Sequence, residues 1–223
     1  MTDHEPPARM RRWPTPCLML VTERSRLRGR PLELVASLAV EGGATVVQLR
    51  ELGLPTRELY DLAITLRAVL RGRALLMVND RIDVALAAGA DGVQLPERGL
   101  PAKAVLEIAG EACILGRSVH SVDAAVRAEA DGADFVLAGT IYPTASKPEQ
   151  TPAGVELVRA AVQAVRVPVV AIGGVTAENA GELIEAGASG VAVIGAIMDA
   201  DDPKQAAAEL RSALDSAVEG RPR

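Results

Sequence analysis

Aromatic rings are scarce in this chain: one Phe, two Tyr and one Trp, together 2% of 223 residues. Stacking platforms for bases or sugars need several such rings on one surface, so single-stranded nucleic acid and carbohydrate surfaces are poor candidates. An excess of cations is lacking too. With a formal net charge of -5, there is no general attraction for polyanions, and any anion must be held by a local site. Cys17 and Cys113 are the two cysteines, each inside an apolar strand-like run. That placement suits buried thiols in a reducing compartment better than a disulfide framework. No run approaches the ~20 apolar residues of a membrane-spanning helix, and no apolar stretch of signal-peptide length precedes Cys17. These absences lead us to expect a cytoplasmic protein with neither a nucleic-acid nor a membrane partner.

What is present is a hydrophobic content of 49%, enough to bury one core without metals or disulfides. From Cys17 onward, short apolar runs alternate with longer amphipathic segments, as in parallel strands joined by crossover helices. Eight runs are found: Cys17 to Thr22, Ala44 to Leu49, Ala74 to Val78, Gly92 to Leu95, Ala112 to Leu115, Phe135 to Gly139, Pro168 to Ile172 and Gly190 to Ile194. Helical spacing of Ala and Leu marks Arg57 to Leu70, Val122 to Ala130, Gly154 to Val165 and Ala177 to Ala186. A doubly wound open sheet would share this alternation, but the count of eight favours closure. The expected fold is therefore α/β: a (β/α)8 TIM barrel in a single domain over 17–218. A flexible N-terminal arm (1–16) and a short tail (219–223) flank it.

In such barrels the chemistry sits at the C-terminal ends of the strands. Those ends carry Gln48 and Arg50, then Asn79 and Asp80, then Gln94, then Ser118 and His120, then Thr144, Ser146 and Lys147. Gly173 and Gly174 follow the seventh run and Gly195 the eighth, so bare amides there can cradle a phosphate. His120 is one of two histidines, the other being His4 in the arm, and it is the candidate for proton transfer near neutrality. Asp80 reads equally well as a ligand to metal or substrate and as a cap for the next helix. Arg50 and Lys147 fit anionic oxygens, with salt bridges to Glu51 or Glu149 as the structural alternative. The polar segment from Thr140 to Pro152 reads as a mobile lid or as a merely irregular connection. Outer-helix Leu and Ala suit both intramolecular packing and a dimer face, which leaves a homo-oligomer open.

The order of these phrases resembles the thiamine phosphate synthase and thiazole tautomerase family. The resembling phrases include Val47-Gln48-Leu49-Arg50-Glu51, Val78-Asn79-Asp80-Arg81, Gly116-Arg117-Ser118-Val119-His120-Ser121, Tyr142-Pro143-Thr144-Ala145-Ser146-Lys147 and Ala171-Ile172-Gly173-Gly174. The resemblance implies a phosphorylated thiazole as ligand, on the amides of Gly173, Gly174 and Gly195. For the synthase branch it also implies Mg²⁺ on Asp80, with Arg50, Asn79 and Lys147 on a diphosphate.

Two departures weigh on the choice of branch. The synthase pattern has a lysine where this chain has Leu52, and a metal-supporting Asp where it has Gly99. Val93-Gln94-Leu95-Pro96 and Gly116 to Ser121 look like the tautomerase branch. The expectation from sequence is a thiazole tautomerase-like isomerase with no cofactor. His120 would shuttle the proton, and Gln48, Arg50, Asn79, Ser118, Thr144, Ser146 and Lys147 would surround the substrate. Two alternatives are a Mg²⁺-dependent synthase and a non-catalytic protein that binds thiazole phosphate.

Overall fold

Each expected apolar run forms a strand because its residues are covered on both faces, one by helices and one by the barrel interior. The computed structural model describes residues 13–110 and 113–220, in which eight parallel strands close in chain order. They are β1 (Cys17–Val21), β2 (Val46–Leu49), β3 (Leu75–Asn79), β4 (Gly92–Leu95), β5 (Ile114–Val119), β6 (Phe135–Ala138), β7 (Val169–Ile172) and β8 (Gly190–Val193). Pairing of β1 with β8, including Leu20 with Val193, closes the ring. The helices are α1 (Leu32–Glu41), α2 (Thr56–Leu70), α3 (Ile82–Ala88), α4 (Ala102–Ala109), α5 (Val122–Ala130), α6 (Val155–Ala164), α7 (Ala177–Glu185), α8 (Gly195–Met198) and α9 (Pro203–Glu219). The chain is thus the expected single-domain (β/α)8 TIM barrel.

Side chains alternate across the strands. Met19, Val46, Met77, Phe135, Leu137 and Val170 fill the interior, whereas Leu18, Leu20, Val47, Leu76, Val93 and Leu115 face the helices. At the N-terminal end of the interior, Trp13 stacks on Phe135 with ring centroids 4.3 Å apart. Residues 1–12 of the expected arm and 221–223 of the expected tail lie outside the described residues.

Most strand boundaries differ from expectation by one or two residues, and that of β5 differs by more. β5 continues through Gly116, Arg117 and Ser118 to Val119, past the apolar run. (Ala112, the expected first residue of that run, lies outside the described residues.) The extension follows from packing. A Cβ on Gly116 would stand 2.3 Å from Phe135 Cζ, so only glycine lets this strand pass the large ring. Ser118, two residues on, shares the inward face. Arg117 points the other way, is buried, and donates to the carbonyls of Pro96 (2.7 Å) and Leu100 (2.6 Å). It therefore clamps the loop between β4 and α4 that carries Glu97 and Gly99. Burial lowers the pKa of its guanidinium from the ordinary arginine value.

Candidate active site

A cavity of about 560 Å³ opens at the C-terminal ends of the strands. Every residue expected at the site lines it: Gln48, Arg50, Asn79, Asp80, Ser118 and His120, with Thr144, Ser146 and Lys147 from the loop after β6 and Gly173, Gly174 and Gly195 from the loops after β7 and β8. The floor is polar. Gln48 Nε2 donates to Asn79 Oδ1 (3.1 Å) and Gln94 Nε2 to Ser118 Oγ (3.1 Å). The Oε1 atoms of both glutamines are buried without a hydrogen-bond partner among the described residues. Of the two, Gln48 lines the cavity, where a buried acceptor left in this state favours a donor on whatever enters.

Asp80 holds a left-handed backbone, with φ of 60°. For a residue with a Cβ, that conformation costs roughly 1–2 kcal/mol. Its N–H donates to the Gln94 carbonyl (2.9 Å), which fixes the turn. Arg81, not Asp80, occupies the N-cap of α3, and no side chain caps that helix. The capping alternative for Asp80 is therefore excluded, and its exposed side chain lines the cavity with no hydrogen bond among the described residues. Position 99 faces it: a Cβ on Gly99 would lie 3.3 Å from Asp80 Oδ1. Leu52, 71% exposed, stands at the rim.

The salt-bridge alternatives for the two rim cations are also excluded. Glu51 accepts instead from Thr22 Oγ1 (2.7 Å) and the Arg24 N–H (3.0 Å), and neither Arg50 nor Lys147 forms an ion pair among the described residues. Burial, and then the neighbouring charge of Arg50, hold the Lys147 ammonium below the ordinary lysine value. His120 Nδ1 bonds to Glu97 Oε2. Ser121 caps α5 by accepting from the Ala124 N–H (3.2 Å), which leaves the imidazole to that carboxylate.

The loops after β7 and β8 form an amide cup. Gly173 and Gly174 have φ of 105° and 65°, and neither N–H donates a backbone hydrogen bond among the described residues. A Cβ on Gly174 would collide with the Pro143 carbonyl at 2.4 Å and with Tyr142 Cβ at 2.7 Å. This glycine therefore lets the loop after β6 lie directly on the cup. That loop is hydrogen-bonded in place: the Tyr142 N–H donates to the Gly173 carbonyl (2.9 Å), the Lys147 N–H to the Thr144 carbonyl (3.3 Å) and Thr140 Oγ1 to Gln150 Oε1 (2.8 Å). Tyr142 Oη donates to Glu182 (2.7 Å), and burial followed by that carboxylate pushes its pKa up to about 12.

The family model described as thiamine monophosphate synthase matches residues 18–197. The chain belongs to the thiamine monophosphate synthase family. A relative from Pyrococcus furiosus, named thiamine-phosphate synthase, is 43% identical over 202 residues, which are 90% of this chain and 96% of the relative. A relative of the same name from Natronomonas pharaonis is 44% identical over 88% of this chain and 94% of its own length. Among solved structures, the thiamine phosphate pyrophosphorylase of Pyrococcus furiosus superposes with a TM-score of 0.83. It is 42% identical and covers 91% of this chain and 96% of that one.

These relatives overturn the expected tautomerase branch, and with it the isomerase reading. The phrases that pointed to it have structural duties in this family member. Gln94 and Ser118 bond to each other in the floor, and Arg117 clamps the Pro96 and Leu100 carbonyls. Such duties say nothing about which reaction runs above them. The sequence reading passed over Arg26, which lines the cavity from the loop after β1. Its run of neighbouring arginines resembles a solvated turn, and its place just past a strand end was the available signal.

Proposed function

We propose that the chain is a thiamine-phosphate synthase, a transferase that joins an aminopyrimidine diphosphate to a thiazole phosphate and releases diphosphate. The observation that carries this reading is the pairing of two anion subsites in one cavity. The amides of Gly173 and Gly174, which donate no backbone hydrogen bond among the described residues, suit a monophosphate, and the cations Arg50 and Lys147, without an ion pair among the described residues and beside Asn79, suit a diphosphate. Names of relatives 43% and 44% identical over most of the chain point the same way. In the floor, the unpartnered Gln48 Oε1 offers an acceptor for a ring amino group.

Magnesium suits this donor set in a lean form. Among the described residues no group of three or more His, Cys, Asp or Glu is placed to hold a metal. Mg²⁺, however, is commonly bound through one or two carboxylates plus substrate phosphates. Asp80 supplies one carboxylate at the mouth, and Gly99 supplies none. When bound, Mg²⁺ neutralises charge on the departing diphosphate. In the transfer, the lone pair of the thiazole nitrogen forms a bond to the carbon carrying the diphosphate. The carbon–oxygen bond breaks and its electron pair leaves with diphosphate. Lys147 and Arg50 hold the oxygens on which that charge develops, and the loop from Thr140 to Pro152 limits water at the reacting carbon.

Neither bond change moves a proton at the reacting atoms, so His120 is not needed as a shuttle. His120→Ala is expected to lower turnover by less than about tenfold. A fall beyond about 100-fold would return a proton transfer to the rate-limiting step. Lys147 gives a pH prediction. Burial and Arg50 disfavour its charged form, so its proton leaves more readily than from an ordinary lysine at 10.5. Diphosphate-substrate affinity should weaken with rising pH before that value is reached, and in Arg50→Gln the alkaline limb of kcat/KM should move upward, under a lower ceiling. A limb that stays put would remove Lys147 as its source.

The reading is tested by supplying purified protein with both substrates and Mg²⁺ and measuring diphosphate release. Release that requires the thiazole phosphate supports a synthase. Tight thiazole phosphate binding without release would leave a binding protein that keeps the cup but does not turn over.

A further inference from the structure

Gly195 opens α8 beside a carboxylate, an awkward neighbour for a phosphate. A Cβ on Gly195 would stand 2.8 Å from Asp199 Oδ2 and 3.4 Å from Arg26 Nη1. A phosphate dianion arriving here is repelled by Asp199 unless a cation offsets it. Arg26, in the short turn Arg24–Arg26 after β1, offsets Asp199 while also pairing with Glu23, so what it brings to a phosphate is its directed N–H groups and not a net positive charge. Its Nη1 donates to Asp199 Oδ2 (2.6 Å), its Nε to Glu23 Oε2 (2.5 Å) and its Nη2 to Ser146 Oγ (3.2 Å). The side chain is only 20% exposed, and an N–H on each Nη remains uncommitted among the described residues.

The bond to Ser146 adds a connection. It links the loop after β1 to the loop after β6 at the residue next to Lys147. Arg26 therefore touches both the wall of the monophosphate cup and the segment that carries a cation of the diphosphate subsite.

We propose that Arg26 reads the phosphate ester of the thiazole substrate and, through Ser146, ties occupancy of the cup to the placement of the Thr144 to Lys147 segment. This makes Arg26 a specificity-determining and positioning residue. The inference rests on the phosphate-cup part of the synthase reading and not on turnover. A guanidinium bidentate to a phosphate supplies paired N–H donors in a fixed geometry. Losing it should penalise the phosphorylated thiazole and spare the corresponding alcohol.

The test is calorimetric titration of the full chain with thiazole phosphate and with the unphosphorylated thiazole alcohol, beside hydrogen exchange of residues 144–150. Arg26→Gln is expected to weaken thiazole phosphate binding roughly 10- to 100-fold and to leave the alcohol unchanged. Thiazole phosphate should slow exchange of the 144–150 segment in the unaltered protein, but not in Arg26→Gln or Ser146→Ala. Should Arg26→Gln fold poorly by circular dichroism, Arg26→Lys keeps the charge without the fork and should still lose the exchange response. Equal loss for phosphate and alcohol, no loss for either, or no thiazole phosphate binding by the unaltered protein would overturn the inference. Because no arm needs turnover, a failed diphosphate-release assay would sink the synthase reading alone.

Discussion

Asp80→Asn is expected to lower Mg²⁺-dependent diphosphate release by roughly 10²-fold or more while the barrel stays folded. The fold is spared for two reasons. Asn tolerates the left-handed backbone that Asp80 adopts at φ 60°, and the carboxylate accepts no hydrogen bond among the described residues that Asn would forfeit. The activity is exposed because, with Gly99 opposite, Asp80 has no neighbouring carboxylate at position 99 to share the load. Raising Mg²⁺ should recover part of the rate, a signature of weakened metal binding. An unchanged rate and an unchanged Mg²⁺ requirement would take Asp80 out of the mechanism.

Gly174→Ala is expected to damage stability and binding together. An L side chain at φ 65° is strained, and its Cβ would press on the Pro143 carbonyl at 2.4 Å, which is backbone and cannot rotate away. Positive-φ strain and overpacking together amount to about 3 kcal/mol, or roughly 6–12 °C in Tm for a domain of this size. The loop after β6 must then lift from the cup, so thiazole phosphate affinity should fall as well. A variant with unaltered Tm and unaltered affinity would show that the cup does not depend on this close approach.

The barrel was legible because its strands are buried on both faces, so each reads as a continuous apolar run. Legibility stopped where the interior face turns polar. Gly116 and Ser118 lie inside β5, yet nothing in their residue types separates a strand from the loop after it. Asp80 was ambiguous for a related reason: capping and ligand binding use the same atoms, and only the residue that holds the N-cap distinguishes them. The branch was not legible in Leu52, Gly99 and the few phrases near β4 and β5. Likeness spread over 202 residues outweighs them. The place of Arg26 just past a strand end was legible, but its contact with Ser146, 120 positions away, was not.

The stack of Trp13 on Phe135 has a bearing on traffic through the molecule. It lies across the N-terminal end of an interior already filled by Met19, Met77 and Val170, and among the described residues the substrate-sized cavity opens at the opposite end. On the proposed synthase reading, both substrates would enter and both products would leave past Lys147 and Arg50, which line that cavity. A diphosphate on its way out must cross the ground that the next diphosphate substrate needs, so the two compete for one threshold. Accumulated diphosphate should therefore slow the enzyme by competing with the pyrimidine substrate, leaving the affinity for thiazole phosphate comparatively untouched.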